Sequence, residues 1–491
     1  MTTLRQIVGA LERPEVFGSL DTEMGGLAYD SRRVGPGSLF FALRGAESDG
    51  SLFIPAAVEA GAGAVVSEIL PPAEHSVPWV RVGDARKALA DAAAVFYGHP
   101  SKALKVAGVT GTNGKTTVGF LIQHLFEAAL QPCGLLGTVR YDLGGEKPAK
   151  ADRTTPESCD IQAMLAEMRA NELRAAAMEV SSHGLPQHRV RGVQFDAAVF
   201  TNLTQDHLDY HGGMDAYFDA KALLFEQLAD QVARGEKKPV GVINSDDAYG
   251  KKLLKRFDGR LPMLRYGMGM GADFQAGKPR YDFHGTQFPL EAKGRQFLVR
   301  LPLIGAFNVY NALAALVAAN AMGLNLREAI QNLGRAPQVP GRLESVSGNR
   351  PFKVFVDYAH TPDALVNVLN ALRALNPERL ITVFGCGGNR DRAKRPLMGR
   401  AADSLSDFCL LTSDNPRKED PQTILDDTAK GMRSGRFKAI LDRREAIEVA
   451  IGLAQPGDII LIAGKGHEDY QEFADGRVPF DDRRVARAAL R

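Results

Sequence analysis

The sequence predicts an α/β protein of three domains: an N-terminal α/β domain, a central phosphate-loop (P-loop) domain with a mostly parallel sheet, and a C-terminal Rossmann-like domain. Three observations predict it. At 491 residues the chain is too long for one compact domain, since a domain takes about 100 to 200 residues. Short apolar runs alternate with helical runs in its first and last parts, the pattern of parallel strands covered by helices. Between those parts a strand candidate feeds a glycine-rich turn and then an apolar helix. The expected domains are residues 1–98, 99–336 and 337–491.

In the first domain SLFFAL (38–43) and AGAVVSE (62–68) are strand candidates, with a helical stretch IPAAVEAGA (54–62) between them. The turn Gly98-His99-Pro100-Ser101 joins it to the second domain. There LKVAGVT (104–110) reads as a strand and VGFLIQHLFEAAL (118–130) as a helix. LRAAAMEV (173–180) reads as a buried strand with its single acid, Glu179, near its end. Leu301 to Leu326 holds no charged residue and is long enough to span a bilayer. Its Pro302, Asn308, Asn311, Asn320 and Asn325 would be costly in lipid, so a buried helix over 308–322, ended by Gly323, is expected instead. The third domain supplies strands near 353–358, 380–385, 407–413, 438–441 and 458–464. No internal repeat or low-complexity tract interrupts the pattern.

Composition narrows the function. Sixty basic against 58 acidic side chains, with 45% hydrophobic and 24% charged residues, fit an ordinary soluble protein and argue against a nucleic-acid partner. The four cysteines form no CxxC pair, so neither a zinc finger nor a disulfide framework is expected, and a reducing cytoplasm fits. The first twenty residues lack an apolar signal core, and membrane insertion is not expected.

The turn Gly111-Thr112-Asn113-Gly114-Lys115-Thr116-Thr117 lies between strand and helix, where backbone N–H groups and a helix N-terminus hold phosphates. Lys115 is placed to reach the terminal phosphates and Thr116 to offer a hydroxyl to Mg²⁺. The turn departs from GxxxxGK[ST], because Val109 stands at its first position. Glu179 is the expected hard-oxygen ligand on a neighbouring strand end, since a lone acid in an apolar run is costly without a strong partner. Four of the ten histidines, His183, His188, His207 and His211, fall between 181 and 211. His207 and His211 have the spacing of a helical zinc pair, yet no HExxH or nearby cysteine completes a site, and magnesium suits a phosphate loop better.

Polar residues follow successive strands of the third domain: Asp357 and His360, then Arg390, then Asp414 to Arg417, then Glu468. Ligands of doubly wound sheets bind beyond such strand ends. GCGGNR (385–390) superficially suits a dinucleotide but fails GxGxxG at Arg390.

GVTGTNGKTT (108–117), MEVSSHGLPQHRV (178–190), TNLTQDHLDYHG (201–212), AYFDAKALLF (216–225), GAFNVYNALAA (305–315), PGRLE (340–344), DYAHTPD (357–363), GCGGNRDRAKRP (385–396), SDNPRKEDP (413–421) and AGKGHEDYQ (463–471) together resemble the Mur ligase family. These are the ATP-dependent amide ligases of peptidoglycan precursor synthesis. The resemblance covers essentially the whole chain. It implies an N-terminal domain for the uridine nucleotide, a central ATPase, and a C-terminal domain for ATP and the amino acid. YDSRRVGPGSLFFALRG (29–45) looks like the uridine-side motif, placing Ser31 and Arg32 near UDP, although Ser51 stands where the family often has histidine. Thr154, Thr155, Ser181, Gln187 and Arg189 are implied to contact the muramoyl peptide. Lys221 matches the lysine that the family carbamylates, to face a second Mg²⁺ with His207. Asn308, Arg342, Asp357 and His360, with the 111–117 turn, are implied to serve ATP. Arg390, Asp414, Asn415, Pro416, Arg417, Gly464 and Glu468 are implied to serve the incoming amino acid.

The substrates so implied are UDP-N-acetylmuramoyl-L-alanyl-D-glutamate and meso-diaminopimelate, joined through an acyl phosphate by a monomeric cytoplasmic enzyme with Lys115, Glu179, His207 and Lys221 at its centre. Arg417 favours diaminopimelate, because a guanidinium can make a bidentate pair with its second carboxylate, which lysine lacks. A lysine-adding ligase and a folylpolyglutamate synthase-like ligase are the alternatives.

Overall fold

In the computed structural model, which describes residues 2–45 and 48–491, the apolar runs of the first hundred residues form a five-stranded sheet. Its strands are β1 (Glu15–Phe17), β2 (Gly26–Ala28), β3 (Ser38–Phe41), β4 (Ala62–Ser67) and β5 (Trp79–Arg81), in the order β1-β5-β4-β3-β2. All pairs are parallel except β1 with β5. Helix α1 (Ile54–Glu59) is shorter than the predicted 54–62 stretch. Helix α2 (Ala85–Phe96) starts where the Asp84 carboxylate accepts from the N–H groups of Arg86 and Lys87, and it packs Leu89 and Ala92 with Leu39, Phe41 and Val66 of the sheet.

The second sheet has a parallel core of β6 (Lys105–Thr110), β7 (Cys133–Leu136), β8 (Ala175–Glu179), β9 (Ala197–Phe200), β10 (Val240–Asn244) and β11 (Met263–Gly267), ordered β7-β8-β6-β9-β10-β11. Antiparallel strands extend the β7 edge, and beyond β11 the parallel strand Phe274–Ala276 is followed by antiparallel ones. Because strand side chains alternate between faces, Ala107 and Val109 pack with α3 (Lys115–Ala128), whereas Val106 packs with α4 (Met214–Ala233) on the other side. The helix predicted over 118–130 therefore begins three residues earlier. Gly114, at φ +90°, hands the chain directly into it, and it ends two residues early, with Leu130 left-handed at φ +58°. The uncharged 301–326 stretch supplies α5 (Ala306–Ala321), buried against α3. Among the described residues, no helix is long and apolar enough to cross a membrane.

The third sheet joins β12 (Lys353–Asp357), β13 (Leu380–Phe384), β14 (Phe408–Leu411), β15 (Phe437–Ala439) and β16 (Ile459–Ala463) in the parallel order β12-β16-β13-β14-β15. Helices α6 (Pro362–Arg373), α7 (Lys394–Leu405) and α8 (Arg443–Gly452) follow three of these strands. The fold class is thus the predicted one, α/β in three units with parallel sheets, and Glu179 and Asp357 are the last residues of their strands.

Candidate active site

The phosphate turn is braced from the end of β9. Thr201 Oγ1 donates to the Asn113 carbonyl at 2.6 Å, the Asn113 N–H donates to Asn202 Oδ1 at 3.0 Å, and the Thr112 N–H to the Asn202 carbonyl at 2.9 Å. This brace demands glycine at 111, where φ is +146° and a Cβ would lie 1.9 Å from Thr201 Oγ1. Thr201 and Asn202 lie in a quoted segment, but their side chains carry no chemical signature that would single them out.

Lys115 Nζ donates to the Gly111 and Thr112 carbonyls at 2.9 Å each. Burial holds its pKa below the usual lysine value. Lys221, which as a lone helix residue would be expected in solvent, is instead 1% exposed on α4. Its Nζ donates to the Gly111 carbonyl at 2.9 Å and lies 4.6 Å from the Tyr217 ring centroid. Burial, then the charge of Lys115, pushes its pKa far below the usual value.

Glu179 is buried, and both its oxygens face Thr138: Oε1 accepts from the backbone N–H at 2.8 Å and Oε2 from Oγ1 at 3.0 Å. These bonds supply the strong partner its burial requires, and it is a hydroxyl and an amide, not a base. Thr138 Oγ1 in turn lies 3.0 Å from Thr154 Oγ1. Thr155 Oγ1 donates to the Glu179 carbonyl at 2.9 Å and accepts from the Ser181 N–H at 3.0 Å. Arg189 donates to the Thr155 carbonyl at 2.8 Å, to Gln187 Oε1 at 2.7 Å, and pairs with Glu157 at 3.1 Å. The five residues expected at the muramoyl peptide therefore form one connected patch beside Glu179.

His207 precedes the one-turn helix Leu208–His211 in a left-handed conformation, φ +52°, with its ring 4.8 Å from that of His183. Burial lowers its pKa to about 4, so it is a neutral nitrogen donor at neutral pH. His211 Nε2 lies 3.0 Å from Ser182 Oγ. Among the described residues, no three His, Cys, Asp or Glu side chains converge as a metal site. Thr116 and Glu179 line the same cleft and offer hard oxygen atoms, the donor type that suits Mg²⁺.

That cleft, of about 510 Å³, lies between the second and third sheets. Thr112 to Thr117, Glu179 and His207 line one side and Arg342, Asp357 and His360 the other, whereas Lys221 sits behind the turn. Arg342 closes the seam: Nη2 donates to Thr116 Oγ1 at 3.0 Å and the guanidinium lies 4.7 Å from the Tyr358 ring centroid. Asn113 Nδ2 donates to Asp363 at 3.2 Å across the same seam. Asp357 accepts from the Leu343 and Ala359 N–H groups at 2.6 and 2.7 Å, and burial raises its pKa. His360 Nδ1 meets the Tyr358 carbonyl at 2.8 Å, and burial lowers its pKa. Asn308 does not line the cleft; its Oδ1 orients Asn311, which does.

The residues expected at the amino acid gather after β14 and β16. Asn415 Nδ2 donates to Glu468 at 2.9 Å, Gly464 approaches Asp414, and Arg417 Nε pairs with Glu472 at 3.1 Å. The Pro416 carbonyl packs on Gly388, leaving no room there for a Cβ. Arg390 is exposed and donates to its neighbour's carbonyl at 3.1 Å. Lys465, Glu472 and Thr138 were not singled out by sequence reasoning. On the first sheet Ser31 and Arg32 form a 3₁₀ turn capped by Asp30, away from the cleft lining, and Arg32 pairs with Asp30 at 2.7 Å.

Three family models match in order: "Mur ligase family, catalytic domain" over 23–97, "Mur ligase middle domain" over 109–319, and "Mur ligase, glutamate ligase domain" over 341–466. The chain is 47% identical over 486 residues to the UDP-N-acetylmuramoyl-L-alanyl-D-glutamate–2,6-diaminopimelate ligase of Solibacter usitatus, covering 98% of this chain and 96% of the relative. It is 45% identical over 477 residues to the protein of the same name from Syntrophomonas wolfei, covering 96% of each. A solved structure of a ligase of that name superposes with a TM-score of 0.71 at 37% identity, over 100% of this chain and 98% of the other. By these near full-length matches, the chain belongs to the Mur ligase family.

Proposed function

We propose that this protein is an ATP-dependent amide ligase that adds meso-2,6-diaminopimelate to the D-glutamate γ-carboxylate of UDP-N-acetylmuramoyl-L-alanyl-D-glutamate in peptidoglycan precursor synthesis. It acts as a cytoplasmic monomer, with residues 1–98 holding the uridine nucleotide at Ser31 and Arg32, 99–336 the ATP phosphates, and 337–491 ATP and the amino acid. The observation that carries the reading is the convergence of Lys115, Thr116, Glu179 and Arg342 on one cleft at the phosphate turn.

A carboxylate is a poor electrophile and must first be activated. A γ-carboxylate oxygen attacks the ATP γ-phosphorus, the bond to ADP breaks, and an acyl phosphate forms. Two anions have to meet for this, and Lys115 with the turn N–H groups lowers their repulsion. Thr116, Glu179, His207 and carbamylated Lys221 would hold Mg²⁺, as two ions, which would supply further positive charge there. The carbamate forms when a neutral Lys221 amine attacks CO₂ and loses a proton, and the depressed pKa of Lys221 supports that neutral state. Thr154, Thr155, Ser181, Gln187 and Arg189 hold the muramoyl peptide beside Glu179. Arg342, Asp357 and His360 hold ATP, and Asn308 supports them from behind by orienting Asn311. The diaminopimelate amine then attacks the acyl carbon, loses a proton, and inorganic phosphate leaves. Arg390, Asp414 to Arg417, Gly464 and Glu468 position that amino acid.

The test is ATP-dependent phosphate release with UDP-N-acetylmuramoyl-L-alanyl-D-glutamate and Mg²⁺, comparing meso-diaminopimelate, L-lysine and no amino acid. Release with diaminopimelate alone is expected. Equal release with lysine would overturn the choice of amino acid, and silence with both would overturn the reaction.

A further inference from the structure

Beside the cleft, the segments after β14 and β16 carry four charges that are paired among themselves. Lys465, with no exposed side-chain surface, donates from Nζ to Asn415 Oδ1 at 2.9 Å and to Glu468 Oε2 at 3.0 Å. Asn415 Nδ2 donates to that same Oε2, and the Tyr358 hydroxyl reaches Oε1 at 3.4 Å. Glu468 is thereby fixed and its charge matched. Arg417 is treated the same way with opposite sign: Nε donates to Glu472 Oε2 at 3.1 Å and Nη1 to the Gly388 carbonyl at 2.8 Å. That arrangement leaves the Nη1/Nη2 end of the guanidinium as the face on which a carboxylate can be bound by two parallel bonds. Arg477, 3.9 Å from Glu472, is largely solvated, and the Arg443–Asp482 pair beneath the two segments is itself neutral.

Resting on the ligase reading above, we propose that Lys465 and Glu472 determine which amino acid is accepted, as positioning residues that act through Glu468 and Arg417. These four charges cancel, and the buried Asp414 carboxylate beside Gly464 adds one negative charge that the distal ammonium of either amino acid meets alike. A distal group carrying both an ammonium and a carboxylate is also neutral and finds a partner for each charge, Glu468 for one and Arg417 for the other. A bare distal ammonium, as in lysine, meets a carboxylate already matched by Lys465 and an arginine to which it offers nothing. Its desolvation is poorly compensated. Arg417 alone would favour the second carboxylate, but the two internal pairs are what make the site unfavourable to a lone cation.

The two residues bias the site in opposite directions, which gives a signature that general damage cannot mimic. Phosphate release is measured with meso-diaminopimelate and with L-lysine for the full chain, Lys465→Met and Glu472→Gln, and the inhibition constant of lysine against diaminopimelate supplies the same ratio as binding. Lys465→Met leaves Glu468 uncompensated and is expected to move the ratio toward lysine by about tenfold, the worth of one charge-assisted bond. Glu472→Gln uncovers Arg417 and is expected to move it toward diaminopimelate, and KM for ATP is expected to hold in both. Ratios that stay put, or move the same way in both variants, overturn the inference. Should Lys465→Met fail to fold, Glu472→Gln decides alone, since its carboxylate is 30% exposed, and an unmoved ratio overturns the inference. Release by the unaltered chain with diaminopimelate but unmoved variants defeats only this inference, whereas no release with either amino acid defeats the ligase reading as well.

Discussion

Glu179 shows what one side chain contributes here. Its carboxylate is buried at the end of β8 and held by two bonds from Thr138, so its position is fixed before any ligand arrives. Because Thr138 and Thr155 tie the same strand end to Thr154 and Ser181, Glu179 and the peptide patch share one rigid support. Glu179→Ala is expected to lower Mg²⁺-dependent phosphate release by about 100-fold or more, the scale seen when a group at a developing charge is removed. Circular dichroism and ATP-independent binding of the UDP substrate should be retained, because the two Thr138 donors lie beside a cleft from which water can reach them. Unchanged turnover would mean that Glu179 holds no ligand. Much at this scale was legible in the sequence, where a single acid ending an apolar strand marks itself by its cost. Lys221 was not legible without the family resemblance. A lysine among α4 residues such as Asp219 and Glu226 reads as solvated, and only the packing of α4 against the Gly111 turn buries it.

At the scale of elements, β3, β4, β6, β8, β12, β13, β14 and β16 were legible because each is a largely apolar, buried run, whereas β7, β9, β10 and β11 were not singled out. The start of α3 was not, since Lys115, Thr116 and Thr117 interrupt the apolar period while the helix already runs beneath them. Lys465 and Glu472 escaped notice for a different reason: their partners Asn415 and Arg417 lie about fifty residues away, and only the alignment of strand ends in the third sheet brings them together. That alignment has its own support. Arg443, at the start of α8, is fully buried and donates to Asp482 at 2.8 and 2.7 Å, to the Ala463 carbonyl at 2.9 Å and to the Ser413 carbonyl at 3.4 Å. One guanidinium thus clamps the last residue of β16 and the residue just before Asp414. Removing its counter-charge leaves a buried cation unmatched, at a cost of about 3 to 5 kcal/mol. Asp482→Ala is accordingly expected to lower the thermal melting point clearly and to raise KM for the amino acid more than KM for ATP. Equal changes in the two constants would show that the clamp supports the whole third sheet and not the two segments.

Across the whole molecule, the seam between the second and third sheets collects histidines that burial keeps neutral. His207 titrates at about 4 and His467 at about 3, and His360 lies below its usual value, each chiefly through burial, with Lys115, Arg342 and Lys394 among the cations that add to it. In the unfolded chain the same rings take up protons near 6.5. Between that pH and the folded values the unfolded chain binds more protons than the folded one, so stability falls as pH falls. The contribution is complete above about 6.5 and drains away on acidification toward 4. Carboxylates held low by partners, such as Asp30 and Asp273, act in the same direction but only below about 4, so the two ranges separate. The melting temperature is therefore expected to stay level from pH 8 to 7 and to decline from 6.5 to 4.5. His467→Asn removes one titrating ring that packs 5.1 Å from Tyr358 and whose Nδ1 has no hydrogen-bond partner among the described residues, so it should flatten the decline by that ring's share while leaving the neutral-pH value little changed. The slope at stake is at most about 1.4 kcal/mol per pH unit for His360 and for His467, and less for His207, whose ring is 45% exposed and pairs with Asp206. An identical decline in the variant would place the acid sensitivity elsewhere, and a melting temperature that rises on acidification would contradict the neutral state of all three rings.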